Sequence, residues 1–216
     1  MRNPNGHPFV AALLDPVMRP LEPLRDHVVP LATGRVLEVG VGTGLNLARY
    51  DPEQIDHVDG VDPDPHMLAR AQPRAEEAPV SVTLHAVGAE ALPFPDDHFD
   101  TVVCTFVMCT IPALDRALRE MARVLRPDGR LLYVEHTVAD GWMQWPQRAL
   151  QPLWGRLAGG CHLARDPLTA LREAGFEPDV PTGHGRHALN PAPIWRGTAT
   201  LRDRSPDPSD SLTPPA

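Results

Sequence analysis

The segment Arg35-Val36-Leu37-Glu38-Val39 is a short apolar run that ends in glycines, which predicts a buried strand entering a tight turn. A short helix is expected from about Leu45. His57 to Asp62 reads as a second strand, and Asp64 to Ala71 as a helix. Val80 to Ala86 alternates as a third strand. Phe99 to Val107 is continuously apolar and rich in β-branched residues, which suits a central parallel strand. Leu114, Leu118, Met121 and Leu125 share one face of a helix over residues 113–125. Pro127-Asp128-Gly129 marks a turn, and Arg130 to Glu135 a fifth strand. Helices follow from about Trp142 to Leu157 and from Pro167 to Ala174. Phe176 to Val180 and Ile194 to Leu201 read as two closing strands. Strands alternating with helices imply an α/β, doubly wound parallel sheet covered on both faces.

The two ends differ from this core. Val10, Leu13, Leu14, Val17, Leu21 and Leu24 have roughly helical spacing, but Pro16, Pro20 and Pro23 break the pattern. Residues 1–33 are therefore expected to form a lid of short helices, and residues 34–202 the main domain. The tail over 203–216 is rich in Pro, Ser and Asp and is expected to be disordered.

A chain of 216 residues with 42% hydrophobic content suits one buried α/β domain. No apolar run reaches the roughly 20 residues of a membrane span, and the first residues do not have the pattern of a signal peptide. A soluble, cytoplasmic protein is expected. All 20 basic residues are Arg, against 28 acidic ones, for a net charge of −8. The missing Lys excludes a Schiff-base lysine and a P-loop lysine. The acidic balance argues against nucleic acid as a partner. Cys104, Cys109 and Cys161 form no disulfide framework and no CxxC pair, so no metal site is expected and a reducing compartment fits.

The glycine turn carries the chemistry. Gly40-Val41-Gly42-Thr43-Gly44 places glycines as G-x-G-x-G, and Leu45 stands where a dinucleotide fingerprint has its third glycine. Glu38, two residues before the first glycine, would repel a pyrophosphate but suits an ammonium group. Asp62, at the end of the second strand, can accept hydrogen bonds from ribose hydroxyls.

VLEVGVGTG, then GVDPDPHML, then GAEALPFPDDHFDTVV, then LREMARVLRPDGRLLYVEH resembles the class I S-adenosylmethionine (SAM)-dependent methyltransferases, over roughly residues 34–180. The resemblance implies a Rossmann-like sheet of seven strands, mostly parallel, with an antiparallel seventh strand. It implies that Glu38 and Gly40 to Gly44 lie against the methionine part of SAM, that Asp62 with Pro63 holds the ribose, and that Met67 borders the adenine pocket. Ala89 and Glu90 would lie beside the adenine. Gly88 stands where many relatives carry Asp, which leaves the backbone to serve there. Cys104 and Thr105 would face the sulfonium; the alternative for Cys104 and Cys109 is core packing.

The second half narrows the resemblance. Val103-Cys104-Thr105-Phe106-Val107-Met108-Cys109, Glu135-His136 and Gly159-Gly160-Cys161-His162-Leu163-Ala164-Arg165-Asp166 are similar to the membrane-associated thiol S-methyltransferases of animals. Those proteins methylate small apolar thiols and carry an N-terminal membrane segment, which is not expected here. This implies transfer of a methyl group to a small, largely apolar acceptor, foremost a thiol. His136 is then the candidate base or hydrogen-bond donor, with a structural hydrogen bond as its alternative. His7, Phe9, Met108, Trp145, Cys161, His162 and Arg165 are candidate acceptor contacts. Arg165 either holds an anionic group or pairs with Asp166 or Glu135. Trp142, Trp145 and Trp154 form a substrate wall, a lipid-touching surface or part of the core. A lipid N-methyltransferase and a quinone or small-molecule C- or O-methyltransferase share the motif set. An NAD(P)-dependent oxidoreductase and a non-catalytic SAM-binding protein are the readings from other classes. Peripheral membrane contact is compatible with the sequence, which gives no oligomeric state.

Overall fold

The computed structural model describes residues 6–139, 144–179, 182–185 and 193–202. Its strands are β1 (Gly34–Val39), β2 (Ile55–Val61), β3 (Val82–His85), β4 (Phe99–Thr105), β5 (Leu125–His136), β6 (Phe176–Pro178), β7 (Thr182–Gly185) and β8 (Ile194–Leu201). They pair in the order β3-β2-β1-β4-β5-β8-β6, and β7 adds to the side of β8. β1 runs parallel to β2 and β4, and β4 parallel to β5. β8 runs antiparallel to β5 and β6. This is the expected seven-stranded sheet with one antiparallel strand; β7 is a short supplement.

Alternation along the strands builds two cores. Leu37, Val39, Val102, Cys104, Leu131 and Tyr133 point to one face, where α4 (Leu114–Val124) and α6 (Pro167–Glu173) cover them. Val36, Val58, Val103, Leu132 and Val134 point to the other. There they meet Val28 and Val29 of the N-terminal segment, Leu47, Tyr50 and the inner face of α3 (Pro65–Glu76). Both faces are covered by apolar side chains, as a central parallel sheet requires.

Pro16 does not break the chain as expected but lies inside α1 (Pro8–Met18); the other prolines of the described N-terminal segment start new pieces. α1 is followed by a 3₁₀ turn over Arg19–Leu21, by α2 (Glu22–Arg25) and by a second 3₁₀ turn over Val29–Leu31. Pro8, Pro20, Pro23 and Pro30 each stand in the first turn of one of these pieces, where the missing N–H costs nothing.

Several boundaries differ from expectation. The helix expected from Leu45 is only a 3₁₀ turn over Leu47–Arg49, because Tyr50 is already extended and Pro52 keeps the chain from continuing as helix. β4 stops at Thr105 rather than Val107: Phe106 adopts φ +54°, a left-handed bend. β5 begins at Leu125, with residues 126–129 looped out between the Leu125 and Arg130 pairings. α3 runs on to Glu76, and α5 spans Gln144–Leu157. Trp142 and the tail over 203–216 lie outside the described residues.

Candidate active site

The chain runs from β1 outward to β2 and β3, then crosses back to β4. This reversal between β1 and β4 opens a crevice at the carboxyl ends of the strands, the usual ligand position in such sheets. A cleft of about 1100 Å³ lies there. That exceeds the ~300–1,000 Å³ of ordinary small-molecule pockets, so it can hold a cofactor and an acceptor together.

The floor is the glycine turn. Gly40, Val41, Gly42 and Thr43 line the cleft. Gly40, Gly42 and Gly44 all have positive φ, and a Cβ on Gly40 would overlap the Val107 side chain. Only glycine brings backbone this close to both Val107 and a ligand. Gly44 lies under the turn, against Ala71. Asp62, Pro63 and Met67 form one wall, and Gly88, Ala89 and Glu90 the next. The Asp62 carboxylate accepts from the Gly42 N–H at 3.1 Å and the Asp64 N–H at 2.8 Å. Burial pushes its carboxyl up to about 6. The backbone-lined cradle and a buried carboxylate at the end of β2 fit the methionine and ribose of SAM.

The N-terminal segment forms the roof. Val10, Leu14 and Met18 of α1 line the cleft with His7. The His7 N–H donates to Asp64 Oδ2 at 2.6 Å. Asp15 accepts from the Thr43 hydroxyl and from Arg74 Nη2, and Arg74 Nη1 also donates to the Thr43 carbonyl at 2.7 Å. These bonds tie α1 to both the glycine turn and α3.

Glu38 lies behind the cradle and is not among the residues that line the cleft. Its oxygens accept from Asn46 Nδ2 at 3.0 Å and from the Tyr50 hydroxyl at 2.8 Å. Burial pushes the Glu38 carboxyl up to about 7, against the pull of Tyr50, Arg25 and Asn46. Arg25 completes the network: its Nη1 donates to Asn46 Oδ1 at 2.9 Å and to Thr105 Oγ1 at 2.6 Å. Thr105 and Arg25 both line the cleft, beside Phe106. Cys104 is buried on the opposite face of the sheet, its Sγ 3.8 Å from Met121 Sδ; the alternation of β4 places it in the core, away from the sulfonium position.

The candidates for the acceptor end separate into three groups. His7 and His162 line the cleft. Phe9 is 83% exposed and Trp145 74% exposed, so neither is a substrate wall or a core residue. Met108 is fully buried in the α4-side core, on the side of the sheet that Cys104 also faces. Arg165 pairs with neither Asp166 nor Glu135. Its Nη1 donates to the carbonyls of Met108 and Ile111, both at 2.7 Å, and so braces the loop after β4.

His136 and Cys161 sit beneath the cleft wall. His136 Nε2 lies 3.3 Å from Cys161 Sγ, and Cys109 is the third member of the cluster. The three donor atoms lie within 4.8 Å of one another. The bond from Cys109, with His136 beside it, pulls the Cys161 thiol well below its ordinary range despite burial. Burial works against charge on His136, but its bond to Cys161 wins and holds the imidazole above its usual value. Glu135 accepts from the N–H groups of Val107 and Met108 at 2.8 and 2.9 Å, which fixes the loop carrying Cys109.

Sequence reasoning missed Arg25, Asp64, Val107, Thr110, Ile111 and the Ala158–Gly160 backbone, all on the cleft wall. Arg25 carried no clear signal: it stands in the polar run Arg25-Asp26-His27 between Leu24 and Val28, as a surface residue would.

A sequence profile of the family described as "Methyltransferase domain" matches residues 37–133. Phosphatidylethanolamine N-methyltransferase of Cereibacter sphaeroides is 44% identical over 140 residues, covering 63% of this chain and 68% of its own. Thiol S-methyltransferase TMT1A of Homo sapiens is 34% identical over 158 residues, 71% of this chain. The match spans 64% of that human relative, a little under two thirds of its length. A solved structure described as a SAM-dependent methyltransferase, possible histamine N-methyltransferase, from Thermotoga maritima superposes with a TM-score of 0.59 at 22% identity. It covers 87% of this chain and 92% of that one, a likeness of fold. With the glycine cradle, the carboxylate at the end of β2 and the sheet order in agreement, the chain belongs to the class I SAM-dependent methyltransferases and takes S-adenosylmethionine as its cofactor.

Proposed function

We propose that the enzyme transfers the methyl group to a small, largely apolar acceptor, and that this acceptor is a thiol. The carrying observation is the lining of the cleft beyond the glycine cradle. Val10, Leu14, Met18, Phe106, Ile111 and Pro112 supply apolar surface, and Gly159 and Gly160 leave room. The similarity to thiol S-methyltransferase TMT1A supports sulfur as the reacting atom. The cofactor supplies a methyl group on a positive sulfur. The chain's residues then have to align an acceptor with it and exclude water. A thiol is partly ionised at neutral pH and intrinsically nucleophilic, so alignment outweighs base strength. His162, on the cleft wall, is the side chain placed to take the acceptor's proton. His136 is engaged with Cys161 and acts by holding that cluster.

A lipid acceptor is the second reading. It is favoured by exposed apolar side chains on the two helices that flank the cleft, Phe9, Leu13 and Val17 on α1 and Trp145, Leu153 and Trp154 on α5. The similarity to phosphatidylethanolamine N-methyltransferase points the same way. Turnover of SAM against thiols, phenols, amines and phospholipid vesicles, read by mass spectrometry, separates the two. Methylated thiol is expected; a methylated amine or phospholipid with no methylated thiol overturns the first reading.

A further inference from the structure

The geometry points to a soft-metal site: Cys109 Sγ, His136 Nε2 and Cys161 Sγ hold one zinc-class ion, with its fourth position left for an exogenous thiolate. Only the fourth position rests on the thiol-acceptor reading.

Three observations carry it. First, the donors come from three separate segments yet converge. Cys109 follows the bend after β4, His136 ends β5, and Cys161 follows α5, and their donor atoms lie within 4.8 Å of one another. Tetrahedral zinc with Zn–S of about 2.3 Å and Zn–N of about 2.0–2.1 Å sets donors roughly 3.6–3.8 Å apart. The cluster closes on an ion by movements of about 1 Å or less.

Second, the backbone around both cysteines is fixed. The His162 N–H donates to the Cys109 carbonyl at 2.9 Å, and Gln151 Nε2 to the Cys161 carbonyl at 2.9 Å. Gln151 Oε1 accepts from the Leu163 N–H at 2.6 Å, and Arg165 clamps the carbonyls on either side of Cys109 and Thr110. A preorganised donor set costs little ordering when a metal enters.

Third, the histidine decides between a metal and a disulfide. His136 is buried, and among the described residues its Nδ1 has no hydrogen-bond partner. A Cys109–Cys161 disulfide would remove the thiol that Nε2 faces and leave both ring nitrogens unpaired. A metal ion instead takes the Nε2 lone pair and both sulfurs, and the two S–H protons leave to solvent. Two thiolates and one neutral imidazole form a soft, charge-matched set for a divalent ion.

Among the described residues no fourth His, Cys, Asp or Glu joins the cluster. Three protein ligands with an open position is the arrangement of reactive rather than structural zinc. Gly160 and His162, on either side of Cys161, line the cleft, so the open position is within reach of an acceptor there. A thiol binding the metal would lose its proton and stay a thiolate at neutral pH.

The full chain is loaded with Zn²⁺ or Co²⁺, desalted and assayed for metal by mass spectrometry and absorption. Stoichiometric metal and a thiolate-to-cobalt charge-transfer band are expected. Cys109→Ser and Cys161→Ser should each weaken retention by more than the ~10–100-fold that loss of an outer-shell partner costs. Cys104→Ala should retain the metal and the band. A wild-type protein that folds and binds SAM but shows no such band overturns the site. So does a band undiminished in both serine variants, or a Cys109–Cys161 disulfide that persists in the presence of Zn²⁺. Adding a small apolar thiol should shift the cobalt spectrum; an unshifted spectrum overturns the fourth-ligand assignment. Because metal uptake is read without turnover, failure of thiol methylation leaves this result standing.

Discussion

Arg25, from the N-terminal segment, donates its Nη1 to Thr105 Oγ1 at the carboxyl end of β4, 2.6 Å away across 80 residues of sequence. Because Thr105 also accepts from Asn46 and Asn46 donates to Glu38, one buried guanidinium links the roof, the glycine turn and β4. Its charge also stands near the Glu38 carboxyl and over the Phe106 ring at 5.3 Å. Arg25→Ala leaves Asn46 Oδ1 without its donor and Thr105 Oγ1 with one donor in place of two, at a cost of about 1–3 kcal/mol. A fall in Tm of roughly 4–8 °C is expected, from about 2 kcal/mol in a chain this size. SAM affinity should fall with it, since the roof is fastened here. Calorimetric melting and SAM titration check both; an unchanged Tm would show that the network carries no weight.

Asp62 makes cofactor binding pH-dependent. In the free protein, burial holds its carboxyl up at about 6, and SAM needs the carboxylate as ribose acceptor. Below that value a proton must be released on binding, so affinity should weaken by about tenfold per pH unit. Above pH 7 the dependence on this group should vanish. The sign for the stability of the free protein is the opposite. A folded value above the unfolded 3.8 contributes stability at low pH that is lost as pH rises through about 6. Glu38 adds a loss of the same sign through about 7. Titration calorimetry from pH 5 to 8 should show Kd rising toward acid in the wild type. Asp62→Asn should bind weakly with little pH dependence; a wild-type slope in that variant would remove Asp62 from the site.

The glycines of the turn separate packing from conformation. A Cβ on Gly40, at φ +67°, would overlap the Val107 side chain. A Cβ on Gly42 meets nothing closer than the Leu14 side chain at 3.7 Å, at φ +55°. Gly42→Ala should therefore cost only the left-handed strain, roughly 1–2 kcal/mol. Gly40→Ala adds an overlap with the buried Val107 side chain, which brings a further ~1–3 kcal/mol of overpacking. Chemical denaturation should rank wild type above Gly42→Ala and Gly42→Ala above Gly40→Ala. Equal losses would mean that Val107 yields freely.

The sheet and the cofactor half were legible because both are encoded locally. Strand periodicity, the glycine spacing and the position of Asp62 are properties of short segments, and the cleft assembles from them directly. The acceptor half was not, because a single backbone bend decides it. Phe106 at φ +54° breaks the alternation of β4: Phe106 packs on the Val103 side of the sheet, and Val107 joins Cys104 and Met108 in the α4-side core while still reaching the cleft. The cluster of Cys109, His136 and Cys161 is likewise a product of three chain ends meeting; no local spacing such as CxxC announces it. Glu38 shows the same limit: a carboxylate next to a glycine turn is visible in the sequence, but its hydrogen bonds to Asn46 and Tyr50, eight and twelve residues on, are not.

Phe9 on α1 and Trp145 on α5 are 83% and 74% exposed, and with Leu13, Val17, Leu153 and Trp154 they give both helices an apolar outer surface. The inner side of α1 contributes Val10, Leu14 and Met18 to the cleft, and α5 contributes Gly155. Among the described residues no helix is long and apolar enough to cross a membrane. Contact with an apolar phase through these side chains would set the cleft close to the interface, where a lipid-soluble acceptor collects. The double variant Phe9→Ser, Trp145→Ser should co-sediment less with phosphatidylcholine–phosphatidylethanolamine vesicles than the wild type. Losing two aromatic side chains worth ~1.5–3 kcal/mol each on full burial predicts a drop of at least tenfold in partitioning, even with partial insertion. SAM affinity in the absence of vesicles should not change, since neither side chain lines the cleft. Equal partitioning of variant and wild type would assign the exposed apolar surface some role other than contact with lipid.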